Sequence, residues 1–460
     1  MKTLTRLSIF ATMLVASTAA AQSTRAASGK LPNDTATKSD SGATAPKAVS
    51  LYRPQDISHI RPADKRGVNV FEPSKDDSIP FTGFALSFGG AFTQEFQGLA
   101  HQNNAAAVLV SGVNQNQLIT IGHGFNNAVA NLNVNAQIAP GIRVAMTSYL
   151  SARHHQESWV KDGYLLIDDS PIDNALLKDM MKYITMRVGH FEINYGDAHF
   201  RRSDNGNSMY NPFVGNYILD DFTTEIGAEV YARSNGLIAM LGATGGEVHG
   251  QVTAPQSRSM SVLGKLGFDK KLADDLRFRL TGSFYANNKA ASNTLFTGDR
   301  GGSAYYDVLE NTASTETANA WSGQVRPGFS NKVNAQVINP FVKIGGAEFF
   351  GNFESAKGGA FTEPKLRNLR QQVYEGLYRF GGNESFYVGG RYDVLAGQLI
   401  PKLYADQNVN RYQLGGGWFV TPNVLAKVEY VTQKYNDFPT TDIRYGGKFN
   451  GFMIQGVVGF

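Results

Sequence analysis

From Phe81 to the last residue, apolar and polar positions alternate with a period of two. In "FTGFALSFGGAF", Phe84, Leu86, Phe88 and Phe92 share one face, and Gly83, Ala85, Ser87 and Gly89 share the other. In "NLNVNAQIAPGIRVAMTSYL", Leu132, Val134, Ala136 and Ile138 alternate with Asn131, Asn133, Asn135 and Gln137. The chain turns at Ala139-Pro140-Gly141, and Ile142, Val144 and Met146 then alternate with Arg143, Ala145 and Thr147. Such a period is that of a strand with one apolar face and one polar face. The same pattern recurs around Arg187, Glu229, Arg279 and Lys427, in some sixteen or seventeen segments. Many run to ten residues or more, longer than the ~5–6 of an ordinary globular strand. The connections alternate between short turns, such as Thr421-Pro422-Asn423, and long polar stretches.

The chain stops inside its last strand. In "FNGFMIQGVVGF", Phe452, Ile454, Val458 and Phe460 are in phase, with no polar tail after them. A terminus ends this way when a partner strand holds it, and the strand near Phe81 is the candidate partner. The pattern therefore predicts an all-β chain: a closed antiparallel transmembrane β-barrel of sixteen strands over 81–460. Closure pairs every backbone donor and acceptor, which lipid requires, and puts the apolar face outward. An antiparallel sandwich also alternates, but strand length and the two classes of connection favour the barrel.

The N-terminal stretch differs. "MKTLTRLSIFATMLVASTAAAQ" has Lys2 and Arg6, an apolar run from Leu7 to Ala16, and small residues before Gln22. This is the layout of a cleaved secretory signal over 1–21, since the run is shorter than the ~20 residues that span a bilayer. Residues 22–80 are rich in Ser, Thr, Lys, Asp and Pro, and are read as a disordered, then extended periplasmic segment. Cleavage lowers the formal charge from +4 to +2 by removing Lys2 and Arg6. That balance gives no reason to expect nucleic acid. The chain has no cysteine, so its stability does not come from disulfides.

No serine elbow, zinc-helix or phosphate-loop motif is present, and no enzyme, cofactor or metal is expected. Adjacent residues of a strand point to opposite faces, so His154 and His155 do not readily share an ion. The polar faces carry a mixed lining, with Arg143, Arg187, Arg277 and Arg279 among the cations and Glu225, Glu229 and Glu429 among the acids. Fixed charges of this kind select ions in a wet lumen.

Two stretches, "MRVGHFEINYG" (186–196) and "RYQLGGGWFVTPNVLAKVEYV" (411–431), resemble the phosphate-selective porin O/P family. The second resembles that family's late hairpin, with a tryptophan strand and a Pro-Asn turn. His190 and Glu192 depart from it, standing where Gln and a basic residue are common. The resemblance implies a trimeric sixteen-stranded channel in the outer membrane, passing phosphate or other small polar and anionic solutes. It also implies that the terminal Phe460 is read by the outer-membrane assembly machinery. In that family a loop near 201 folds inward, which makes Arg201 and Arg202 candidates for an anion-selective constriction, extended along the wall by Arg143, Arg187, Arg277 and Arg279. The competing expectation is a plugged barrel with a structural, adhesive or surface-binding role.

Overall fold

The structure, a computed structural model, describes residues 57–73, 75, 79–126, 128–151, 157–246, 258–297, 304–315, 319 and 322–460. Sixteen long strands form one sheet. They are β1 (Ala85–Gln102), β2 (Val129–Ala139), β3 (Ile142–Ser151), β4 (Glu157–Ile167), β5 (Ile184–Glu192), β6 (Thr224–Ser234), β7 (Leu237–Thr244) and β8 (Ser261–Lys271). The second half comprises β9 (Leu276–Asn287), β10 (Lys332–Ile344), β11 (Ala347–Gly359), β12 (Arg367–Phe380), β13 (Phe386–Gly397), β14 (Gln407–Thr421), β15 (Val424–Asn436) and β16 (Lys448–Gly459).

Each strand pairs antiparallel with its sequence neighbours, and β1 closes the barrel on β16 from Ala91↔Gly459 to Gln102↔Lys448. Phe460 continues that ladder: its N–H donates to the Gly90 carbonyl (3.0 Å), and its carbonyl accepts from the Gly90 N–H (2.9 Å). The closed antiparallel barrel predicted from the alternation is thus present, and its last residue is held as predicted.

Burial is inverted relative to a water-soluble protein. Along β14 and β15, Tyr412, Leu414, Val428 and Tyr430 are exposed, whereas Arg411, Gln413 and Glu429 are buried inside. Phe380, Phe386 and Trp418 stack on the outer wall beside the short turns, with centroids 5.7 and 5.9 Å apart. An apolar outer band with an aromatic girdle is what a lipid-facing wall carries.

One end of the barrel has the tight turns. Pro140–Gly141 joins β2 to β3, and Gly141 adopts φ +69°, a conformation that favours glycine. A short helix, α1 (Ala175–Met181), lies in the connection between β4 and β5 at the same end. The other end has the long connections, and 193–223 together with the described residues of 288–331 folds into the lumen. There the inward-facing wall residues are apolar. Val333, Leu369, Leu395 and Val409 bury Val214, Ile218 and Leu295 from the loops, so the core sits inside the barrel.

Residues 1–56 lie outside the described residues, but 57–73 do not trail away from the barrel. They lie within it at the short-turn end, with Ile57 and Phe71 buried. Lys65 N–H donates to the Pro422 carbonyl (2.9 Å). Phe71 packs edge-on against Phe341 of β10 (5.3 Å) and Phe200 (5.6 Å). A stretch that cannot fold alone is ordered here because the wall supplies partners for its charges.

Candidate functional site

The connection 193–223 is tied to both sides of the barrel. Toward β12–β15, backbone amides of the loop donate to wall acceptors: Val214 to Glu429 (2.8 Å), Ile218 to Asp393 (2.7 Å) and Leu219 to Gln371 (2.7 Å). Lys427 Nζ donates to the carbonyls of Ser208 (2.9 Å), Asn211 (3.1 Å) and Phe213 (2.9 Å). Toward β1 and β2, Gly206 N–H donates to Asn131 Oδ1 (2.9 Å), and Thr93 Oγ1 donates to the Gly206 carbonyl (2.8 Å). A Cβ at Gly206 would come within 2.5 Å of the Ala130 Cα, so glycine permits this close approach.

The crossing leaves a cavity of about 220 Å³ between the loop and strands β2–β5. Its wall presents an amide ladder, Asn131, Asn133 and Asn135, beside Thr147. Lys161 and Asp162 of β4, Arg187 and Glu192 of β5, and His199, Arg202 and Asp204 of the loop supply the charges. Lys161 lies at the centre, 2.7 Å from Glu192, 3.1 Å from Asp204 and 3.6 Å from Asp162. Lys161 and Asp162 are consecutive yet both buried. The reason is a bulge: Thr147 pairs with Asp162 and Ser148 with Val160, leaving Lys161 as the extra residue. A bulge re-aims side chains that a regular strand would alternate.

At the short-turn end a vestibule of about 1100 Å³ opens, lined by residues from 59 to 73, Lys75 and the strand ends around Arg233, Asp269, Arg277 and Lys343. Ile60 and Arg61 border both the vestibule and the inner cavity. Arg61 is fixed there, with its guanidinium 3.5 Å from the Tyr210 ring centroid and Nη2 donating to the carbonyls of Gly67 (2.7 Å) and Phe200 (2.9 Å). Burial pulls this guanidinium down to about 10. Burial also holds the His199 imidazole well below its usual range, against the opposing pull of Glu192.

The structure places both Arg201 and Arg202 on an inward-folded loop, but neither is a bare cation. Arg201 Nη2 lies 2.7 Å from Glu348 and 2.5 Å from Glu375. Arg202 clasps Asp220 through Nε (2.9 Å) and Nη2 (2.6 Å). Arg143 pairs with Asp168 (2.6 Å), Arg187 with Glu229 (2.5 Å), Arg277 with Asp269 (2.7 Å) and Arg279 with Asp197 (2.7 Å). An unpaired ion buried in this way would carry a desolvation cost of several kcal/mol, so each found a carboxylate. Each of the six arginines named from the sequence is thus paired with a carboxylate. Of the six arginines, Arg187 and Arg202 line the inner cavity. Arg61, Lys161 and His199 line it too, and the sequence did not single them out. The His154–His155 pair lies outside the described residues.

No family model and no curated protein matches the chain. Solved structures do share the fold. An anion-selective porin from Comamonas acidovorans aligns with TM-score 0.50 at 10% identity, over 82% of this chain and 100% of that one. OprB of Pseudomonas putida aligns with TM-score 0.49 at 10% identity, over 82% and 94%. A loop-deletion mutant of OmpT, an outer membrane protein of Vibrio cholerae, aligns with TM-score 0.49 at 10% identity, over 82% and 100%. At this identity the likeness concerns the barrel architecture.

Proposed function

We propose that the chain is an outer-membrane porin-like channel through which small polar solutes diffuse, with a mild preference for anions. The observation that carries this reading is the polar cavity between the inward loop and β2–β5, inside a barrel whose outer wall is apolar. An amide ladder is suited to exchanging hydrogen bonds with a passing hydrated solute. The lining carries four cations, Arg61, Lys161, Arg187 and Arg202, and three acids, Asp162, Glu192 and Asp204. Arg187 and Arg202 are also paired with Glu229 and Asp220, so the anion preference rests on the placement of Arg61 and on the family resemblance. Low-dielectric walls focus even a small excess of one sign. Phosphate as the solute, a trimeric assembly, a cleaved signal over 1–21 and recognition of Phe460 by the assembly machinery belong to this proposal. They rest on the family resemblance and on the sequence.

The second reading is a closed barrel with a structural or surface role. The observation favouring it is the segment 57–73 lying across the short-turn mouth, where Lys65 meets the β14–β15 turn. Liposome swelling separates the two. A channel gives swelling with small sugars at a rate that rises with protein dose. Folded protein in liposomes that stay sealed leaves the second reading standing.

A further inference from the structure

Glu72 is an acid delivered by the N-terminal segment into a ready-made cationic seat. Its Oε2 lies 2.7 Å from Arg279 Nη2 of β9, and its Oε1 lies 3.1 Å from Lys265 Nζ of β8. Asn194 Nδ2 donates to the same Oε1 (2.9 Å). The side chains of Lys265 and Arg279 are fully buried, and that of Glu72 is 3% exposed. The seat remains positive without Glu72. Lys265, Arg277 and Arg279 share Asp197 of the inward loop and Asp269 of β8 through ion pairs of 2.7–3.0 Å, so three cations face two carboxylates. Arg233 borders the same vestibule as Glu72, and its buried Nε and Nη1 have no hydrogen-bond partner.

We propose that Lys265, Arg279 and Asn194 form a carboxylate-binding subsite on the lumen wall, with Glu72 as its resident ligand. A small carboxylate solute entering the vestibule competes with Glu72 for this seat and loosens the segment 57–73 from the mouth. Lys265 contributes a point charge, and Arg279 a planar fork already oriented by Asp197, whose carboxylate takes Nε (2.8 Å) and Nη2 (2.7 Å). The chain's own carboxylate has the advantage of tethering, so a free acid competes only at high local concentration. The channel reading explains how such a solute arrives, while binding itself is independent of conduction.

The full-length Glu72→Ala variant, folded in detergent, leaves a carboxylate-sized gap beside the two cations. The probe is sodium acetate, compared with sodium chloride at equal ionic strength. Trypsin cleavage after Arg61, Lys65, Arg66 or Lys75 should be about tenfold faster in the variant than in the wild type, because the segment has lost its anchor. Acetate fills the gap without tethering the segment, so it should leave the variant's rate unchanged; at high concentration it should quicken cleavage of the wild type, and chloride should not. Calorimetry should give a saturable acetate heat with Glu72→Ala and a much weaker one, reached only at high acetate concentration, with the wild type. If Glu72→Ala does not fold, Glu72→Ser, which leaves the same gap, carries the test: it should bind acetate, and Glu72→Ser with Lys265→Gln should not. Absence of acetate binding by whichever single variant folds would overturn the subsite. Binding by a protein that conducts nothing would overturn the channel reading and leave the subsite intact.

Discussion

Arg201 shows how burial decides what a charged residue does. Its guanidinium is 2% exposed and lies between Glu348 and Glu375, with Asn69 as a further partner. Arg201→Met would leave Glu348 with Arg379 alone and Glu375 with Arg391 alone, a loss of about 3 kcal/mol, the lower end of the cost of breaking a buried pair, since each carboxylate keeps one cation. The expected outcome is a lower temperature for the folded-to-unfolded mobility shift on gels, partly restored by adding Glu375→Gln because the two sites are coupled. His199 gives a pH dependence. Its folded proton affinity is depressed by burial, so the unfolded state takes up a proton below about pH 6.5 that the folded state refuses. Stability is therefore full above that pH and falls as pH drops, by about 1.4 kcal/mol per unit of depression. Chemical denaturation in detergent between pH 7.5 and 5 should show the decline, and His199→Gln should flatten it.

At the scale of elements, the inward loop is held by wall side chains that reach its backbone. Lys427→Met removes three bonds to the carbonyls of 208, 211 and 213. Hydrogen exchange of the amides across 208–215 should quicken by at least about tenfold, with the strand ladders unchanged. The strands themselves were legible because period two survives in each of them, as in Asn131 to Ile138 and Val424 to Tyr430. The turns at Pro140–Gly141 and Pro422–Asn423 were legible from their residues. The fillings of the lumen were not. Apolar positions on the inner wall, such as Val333, Leu369 and Leu395, do not say that Val214, Ile218 and Leu295 of the loops cover them, and 57–73 reads as a linker until Glu72 meets Lys265 and Arg279. The bulge at Lys161 was equally hidden, since it changes direction without changing composition. Arg202 and Arg187, named from the sequence as selectivity candidates, line the inner cavity, but their carboxylates, Asp220 and Glu229, are not legible as partners from spacing alone.

The whole molecule depends on closure between its first and last strands. Phe460 adds one doubly bonded pair with Gly90 beyond the end of β16, and its side chain is exposed on the outer wall. Deleting it, or placing a charge there, should reduce the heat-modifiable folded band in outer membranes, since a charge near a barrel rim costs up to about 1 kcal/mol and the ladder is shortened. Normal accumulation of the folded form would remove Phe460 from the account of assembly. The central claim is that the space between loop 193–223 and β2–β5 conducts. Single-channel recording in planar bilayers under a salt gradient tests it most directly. The account predicts discrete conductance steps with a reversal potential on the anion side, moved toward cations by Lys161→Gln. Bilayers that hold folded protein and show no steps would contradict it.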